Sequence, residues 1–142
     1  MNLILPIMVA FAVQSGAGRG GDELVVIANR SAPVERLDSQ KTTQIFLKQI
    51  QTWSDGKPIT PVDVAEGSPL RAEFYAKVTG RSVGQIRAYW ARQEFTGMGF
   101  RPRQAASAAD VARVVQATPG AIGYVSRKAA TPAVKVVLDV SH

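Results

Sequence analysis

Apolar residues run unbroken from Leu24 through Val25, Val26 and Ile27 to Ala28 with polar residues on either side, the pattern of a buried strand. Asn29-Arg30-Ser31-Ala32-Pro33 ends it as a loop, and beyond Leu37 either Asp38 or Ser39 can cap a short helix carrying Ile45, Phe46 and Leu47. Trp53-Ser54-Asp55-Gly56-Lys57-Pro58 is a turn. Ile59 to Val64 follows, where Val62, Asp63 and Val64 alternate as in a half-buried strand with Asp63 on its polar face. At Glu66-Gly67-Ser68-Pro69-Leu70-Arg71 the period changes: Ser68 suits an N-cap, Pro69 the first helical position, and Leu70, Phe74 and Val78 share one stripe.

That helix ends by Gly80, and Ser82 opens another in which Val83, Ile86, Tyr89 and Trp90 recur at helical spacing as core residues. Ser107 with Asp110 has the look of a capping box ahead of Val111, Val114 and Val115, and Thr118-Pro119-Gly120 stops this helix after about Ala117. Ala121 to Val125 and Val134 to Val140 read as two last strands, the second placing Val134, Val136, Leu138 and Val140 on one face. Strands alternating with helices predict an α/β layer with a central, largely parallel sheet. Ligands in such sheets lie outside the carboxyl ends of strands, which is where the Val64-to-Ser68 turn falls. Unpaired N–H groups and the positive end of the helix dipole make that turn a seat for an anion.

A chain of 142 residues, 46% hydrophobic and 20% charged, holds one ordinary domain. Its first residues stand apart: Leu3 to Val13 is almost wholly apolar and Gln14-Ser15-Gly16-Ala17-Gly18 is small and polar, as in a secretory signal, although no Lys or Arg precedes the run. The run is too short for a membrane span, which needs about 20 residues. Residues 1–20 are therefore expected to be a cleaved signal peptide and linker, and 21–142 a single domain in the periplasm or outside the cell.

No cysteine is present, which excludes disulfides, thiol nucleophiles and thiolate zinc sites, and the single histidine, His142, supports neither a metal site nor a catalytic triad. The net charge of +6 is scattered, densest at Arg81 to Arg92 and Arg101-Pro102-Arg103, and reads as solvated faces rather than a nucleic-acid surface. Asp55 serves its turn, Glu66 faces solvent, and Thr96-Gly97-Met98-Gly99 lacks the spacing and lysine of a P-loop and reads as a flexible connection. The expectation is no enzyme, no cofactor and no metal.

Between Glu23 and Val140 the segments Val26-Ile27-Ala28-Asn29-Arg30-Ser31 with Pro33, Ile45-Phe46-Leu47, Trp53-Ser54-Asp55-Gly56, Gly67-Ser68 with Arg71 and Phe74, and Pro119-Gly120-Ala121-Ile122-Gly123-Tyr124-Val125 stand in a shared order. In that order and spacing the chain resembles the phosphate-binding proteins of bacterial ABC transporters, a branch of the two-lobed type II periplasmic binding proteins. The resemblance covers one lobe. It implies a mostly parallel sheet with one antiparallel strand, flanked by helices, and a non-enzymatic solute-binding role.

In that family the turn carries Ser-Gly-Thr with an arginine four residues before the serine, and these contact the anion. Here Ser68 matches the serine, while Pro69, Leu70 and Val64 stand where the glycine, threonine and arginine would be. Proline has no N–H, leucine no hydroxyl, and valine no charged fork. The expected site is Gly67, Ser68, Leu70 and Arg71, with Ser68 hydroxyl and backbone N–H groups as donors and the Arg71 guanidinium as countercharge. An anion held by one lobe stays half solvated, so its binding is expected to be weak. The expected partners are a phosphate-like anion and an ABC transporter or envelope protein, with no nucleic acid and with membrane contact only through export. The alternative is a degenerate lobe serving as an interaction or self-association module, since a homodimer of single lobes rebuilds a closed cleft by symmetry.

Overall fold

In the computed structural model, which describes residues 23–140, the unbroken apolar run becomes β1, Leu24–Asn29, with all six residues buried. The remaining strands are β2 (Thr60–Val64), β3 (Arg103–Ala105), β4 (Ala121–Ser126) and β5 (Val134–Asp139). They form one sheet in the order β3-β2-β4-β1-β5. β2 is parallel to β3 and β4, whereas β1 is antiparallel to both β4 and β5, so one strand runs against the other four. The expected signal segment and His142 lie outside the described residues.

Helices cover both faces. Gly123 and Tyr124 are neighbours on β4 and so point to opposite sides. On one side α4 (Ala108–Ala117) comes so close that a Cβ on Gly123 would lie 2.5 Å from Val111 Cγ1, which is why only glycine fits there. On the other side the Tyr124 ring stacks on Phe74 of α2 (Pro69–Phe74), 3.9 Å between centroids, and Phe46 of α1 (Ser39–Phe46) meets Phe74 edge-on at 4.8 Å. Each such ring pair adds about 0.5–1.5 kcal/mol beyond the area it buries.

The helix starts follow the sequence. Asp38 caps α1 by accepting from the Lys41 N–H, Ser82 and Gln85 form a full capping box at the start of α3 (Val83–Phe95), and Ser107 accepts from the Asp110 N–H at α4.

Local packing changes three expectations and adds one strand that was not expected. The helix opened by Ser68 passes at Tyr75 into a π-helical turn, Tyr75–Thr79, whose wider winding sends both Phe74 and Tyr75 into the core. β2 is buried on both faces, Asp63 included, because helices lie over each side of the sheet. β5 carries a bulge opposite Val26 and Ile27, which turns Val137 inward and leaves Val136 39% exposed, so the even alternation is broken midway. β3 is a three-residue edge strand with Arg103 and Gln104 exposed, too short and polar to stand out as a strand.

Candidate functional site

β2 ends at Val64, and the chain reaches α2 through Ala65-Glu66-Gly67, with Gly67 at φ +87°, a left-handed conformation that side chains resist. Ser68 is the N-cap, with extended backbone, and Pro69 occupies the start of the helix. The serine hydroxyl makes no capping bond, because the Arg71 N–H donates instead to the Ser68 carbonyl at 3.1 Å. The Ser68 N–H is also engaged, donating to Ala65 O at 3.2 Å, while the Leu70 N–H has no acceptor in the turn. Gly67 and Pro69 are exposed, Ser68 and Leu70 half-buried. Of the expected backbone donors, the one at Leu70 is thus open, together with the Ser68 hydroxyl and the exposed Gly67.

Arg71 departs from its expected place. Its side chain, 5% exposed, turns under the turn instead of out of it: Nη1 lies 3.0 Å from Asp63 Oδ2 and donates to Val64 O at 3.3 Å, and the guanidinium sits 5.3 Å from the centre of the Tyr75 ring. Asp63 is the hub. Its Oδ2 also accepts from the Tyr75 hydroxyl at 2.7 Å and its Oδ1 from the Tyr124 hydroxyl at 2.5 Å, while the Tyr124 oxygen accepts from the Val64 N–H at 3.3 Å.

Burial pushes the Asp63 carboxyl above its ordinary value, and the Arg71 charge and the hydrogen bonds from Tyr124, Tyr75 and Arg71 pull it only part of the way back. Burial and the adjacent Asp63 charge raise both tyrosines, which therefore stay protonated as donors. The countercharge expected at the surface is thus spoken for in the interior. What the network does is fix the turn: one carboxylate holds β2, α2, the π-helical turn and β4 in mutual register. Sequence reasoning missed Tyr75 and Tyr124, and the only signal for Asp63 was its charge between two valines.

Around the turn, Glu66 is exposed and faces Arg101 at 3.7 Å, and Arg101 is held more firmly by Glu94 through Nε and Nη2, both at 2.9 Å. Arg30 is far away, donating to Pro132 O. Asp55 accepts from the Lys57 N–H, as its turn requires. A cavity of about 330 Å³ lies at the opposite end of the sheet, lined by Ser31, Pro33, Trp53, Lys57, Thr60 and Gly120. Among the described residues no group of three or more His, Asp or Glu side chains is gathered to hold a metal, and no helix is long and apolar enough to cross a membrane.

A mostly parallel sheet, helices on both faces and a strand-to-helix turn at its carboxyl edge define a single lobe of the periplasmic-binding-protein class. A family model described as a PBP superfamily domain matches residues 19–138, and the chain belongs to that family. No curated protein matches it. Solved structures do.

One, from Clostridium perfringens, is described as a phosphate ABC transporter substrate-binding protein with bound phosphate; it is 21% identical with a TM-score of 0.63, and the match covers 82% of this chain and 44% of that one. An ABC-type phosphate transport receptor from Vibrio cholerae matches at 17% identity and TM-score 0.65, over 85% of this chain and 47% of the receptor. PstS from Borrelia burgdorferi matches at 16% and 0.62, over 82% and 46%. The lobe is PstS-like in fold, and the chain spans less than half the length of these relatives.

Proposed function

We propose that the chain is an exported, non-enzymatic solute-binding lobe that takes a small oxyanion such as phosphate, weakly, at the β2–α2 turn. Residues 1–20 act as signal peptide and linker and deliver the domain to the periplasm or the cell exterior. The Ser68 hydroxyl and the N–H groups of Gly67 and Leu70 donate to the anion, and Arg71 acts from beneath, holding the turn through Asp63.

The observation that carries this reading is the pair of donors that have no partner among the described residues at Ser68 and Leu70, on a lobe that shares its fold with a relative solved with phosphate. With one side open to water the charge is screened, so the expected affinity is micromolar to millimolar, about −8 to −4 kcal/mol. Calorimetry with phosphate tests it. Ser68→Ala is expected to weaken binding by about tenfold, as for a lost hydrogen bond to a charged group. No heat of binding up to about 10 mM phosphate, about tenfold above the weakest affinity expected, overturns the reading.

A second reading is favoured by the exposed Pro69, the half-buried Leu70 and the withdrawn Arg71, which give the outer face of the turn an apolar and uncharged character. In it the same face meets an ABC transporter, another envelope protein or a second copy of the chain. Sedimentation that shows a dimer lost on Leu70→Asp supports it, and monomer at every concentration, with no partner recovered, counts against it.

A further inference from the structure

Between Arg81 and Ala109 the chain carries five arginines and a single acid, Glu94. The same stretch holds the most exposed large apolar side chains among the described residues: Phe95 is 91% exposed, Met98 74% and Phe100 73%. They follow one another across the end of α3 and the loop that leaves it; none belongs to the buried core, although Met98 and Phe100 line a shallow cavity with Leu47 and Trp90 on their inner side. On α3 the face that leads up to Phe95 is Gly84, Ala88 and Ala91, all exposed, so nothing bulky shields it. Arg92 stands three residues before Phe95 on that face, and Arg87 lies on its flank about two turns back. Arg103 follows Phe100 beyond Pro102. Glu94 is already bound to Arg101, so Arg87, Arg92 and Arg103 have no acidic partner among the described residues.

We propose that this corner docks the protein on an anionic lipid surface, with Phe95, Met98 and Phe100 entering the boundary between headgroups and acyl chains and Arg87, Arg92 and Arg103 meeting the lipid phosphates. Apolar side chains on a loop, rimmed by cations, match an interface whose outer layer is anionic and whose inner layer is hydrocarbon. A second copy of the chain is the poorer occupant, because self-pairing sets like charges against one another with no free acid on the face to answer them. The proposal uses none of the residues of the β2–α2 turn and stands apart from anion binding there.

Sedimentation of the full chain with vesicles of phosphatidylcholine, alone or mixed with phosphatidylglycerol, tests it. Every variant keeps the apolar Leu3 to Val13 run, so only differences between variants report on the corner. Binding to the mixed vesicles that weakens with salt is expected. The variant F95S/M98S/F100S is expected to lose about a hundredfold in partition, because three apolar side chains no longer leave water. R87E/R92E is expected to lose at least about tenfold, while both variants keep the wild-type response to free phosphate. Equal partition of wild type and the triple variant overturns the proposal, as does a difference between wild type and R87E/R92E that is the same on neutral and anionic vesicles. A dimer in solution that the triple variant converts to monomer overturns it too, and assigns the corner to a second copy.

Discussion

The two ends of the sheet are held by different chemistry. At the carboxyl end of β2 a buried ion pair does the holding: Asp63 and Arg71 with two tyrosine hydroxyls, all inside the lobe. At the opposite end neutral side chains hold backbone carbonyls. Asn29 donates to Val115 O at 2.8 Å and Gln116 O at 3.0 Å, closing the end of α4, and Trp53 Nε1 donates to Gly120 O at 3.0 Å. The neutral end ties together residues 67 to 87 apart in sequence without desolvating a charge. The charged end desolvates two, and a charge in the interior is tolerated only while its partner remains. The lesson is that the end bearing the candidate site is also the one whose integrity depends on a single carboxylate.

The largest expected effect breaks the charged end. Arg71→Met or Asp63→Asn alone leaves an uncompensated buried group and is expected to cost about 3–5 kcal/mol in urea unfolding, whereas the double variant recovers most of that loss. Equal losses in single and double variants would mean that the pair does not act as a unit.

At the neutral end Asn29→Ala, which strips the buried Val115 carbonyl and the part-buried Gln116 carbonyl of their donor, is expected to cost about 1–3 kcal/mol, and Trp53→Phe about 1 kcal/mol. Neither should alter phosphate titration at the other end.

A smaller effect separates the ends by pH. Because the folded chain raises Asp63, the folded state binds that proton more tightly than the unfolded chain does. Its contribution to stability is therefore present at low pH, falls as pH rises from the ordinary aspartate value through the raised one, and is level above it. Wild type and Asn29→Ala should share this fall, and Asp63→Asn should lack it. The smallest effect concerns the exposed pair beside the turn: hydrogen bonds from Arg101 hold Glu94 down to about 2, so its carboxyl resonance should titrate near there and return to the usual range in Arg101→Gln.

What the sequence made legible was whatever depends on near neighbours. The run from Leu24 to Ala28, the caps at Asp38, Ser82 and Ser107 and the turn at Gly67-Ser68 are each specified within a few residues, and each forms where expected. The features that escaped depend on distant partners. Asp63 looks like a solvent-facing residue until Tyr124, 61 positions later, is seen to donate to it. The π-helical turn satisfies the demand that Tyr75 reach Asp63 while Phe74 reaches Tyr124, a constraint invisible in a helical wheel. The bulge in β5 is set by its pairing with β1, more than a hundred positions earlier. At the candidate site the turn was readable and the direction of Arg71 was not, because one arginine can face either way from the first turn of a helix.

At the same end of the sheet as the β2–α2 turn, the end of β5 returns to the start of β1: the Val140 N–H donates to Leu24 O at 3.0 Å, and Arg127 bridges Glu23 and Asp139. Entry and exit of the polypeptide therefore form a narrow stem. A domain on such a stem can be spliced into a loop of a larger host, or excised from one, without parting any strand from its neighbours. The same stem allows the domain to be permuted, Glu23 and Val140 joined by a few glycines and a new opening cut at Asp55-Gly56.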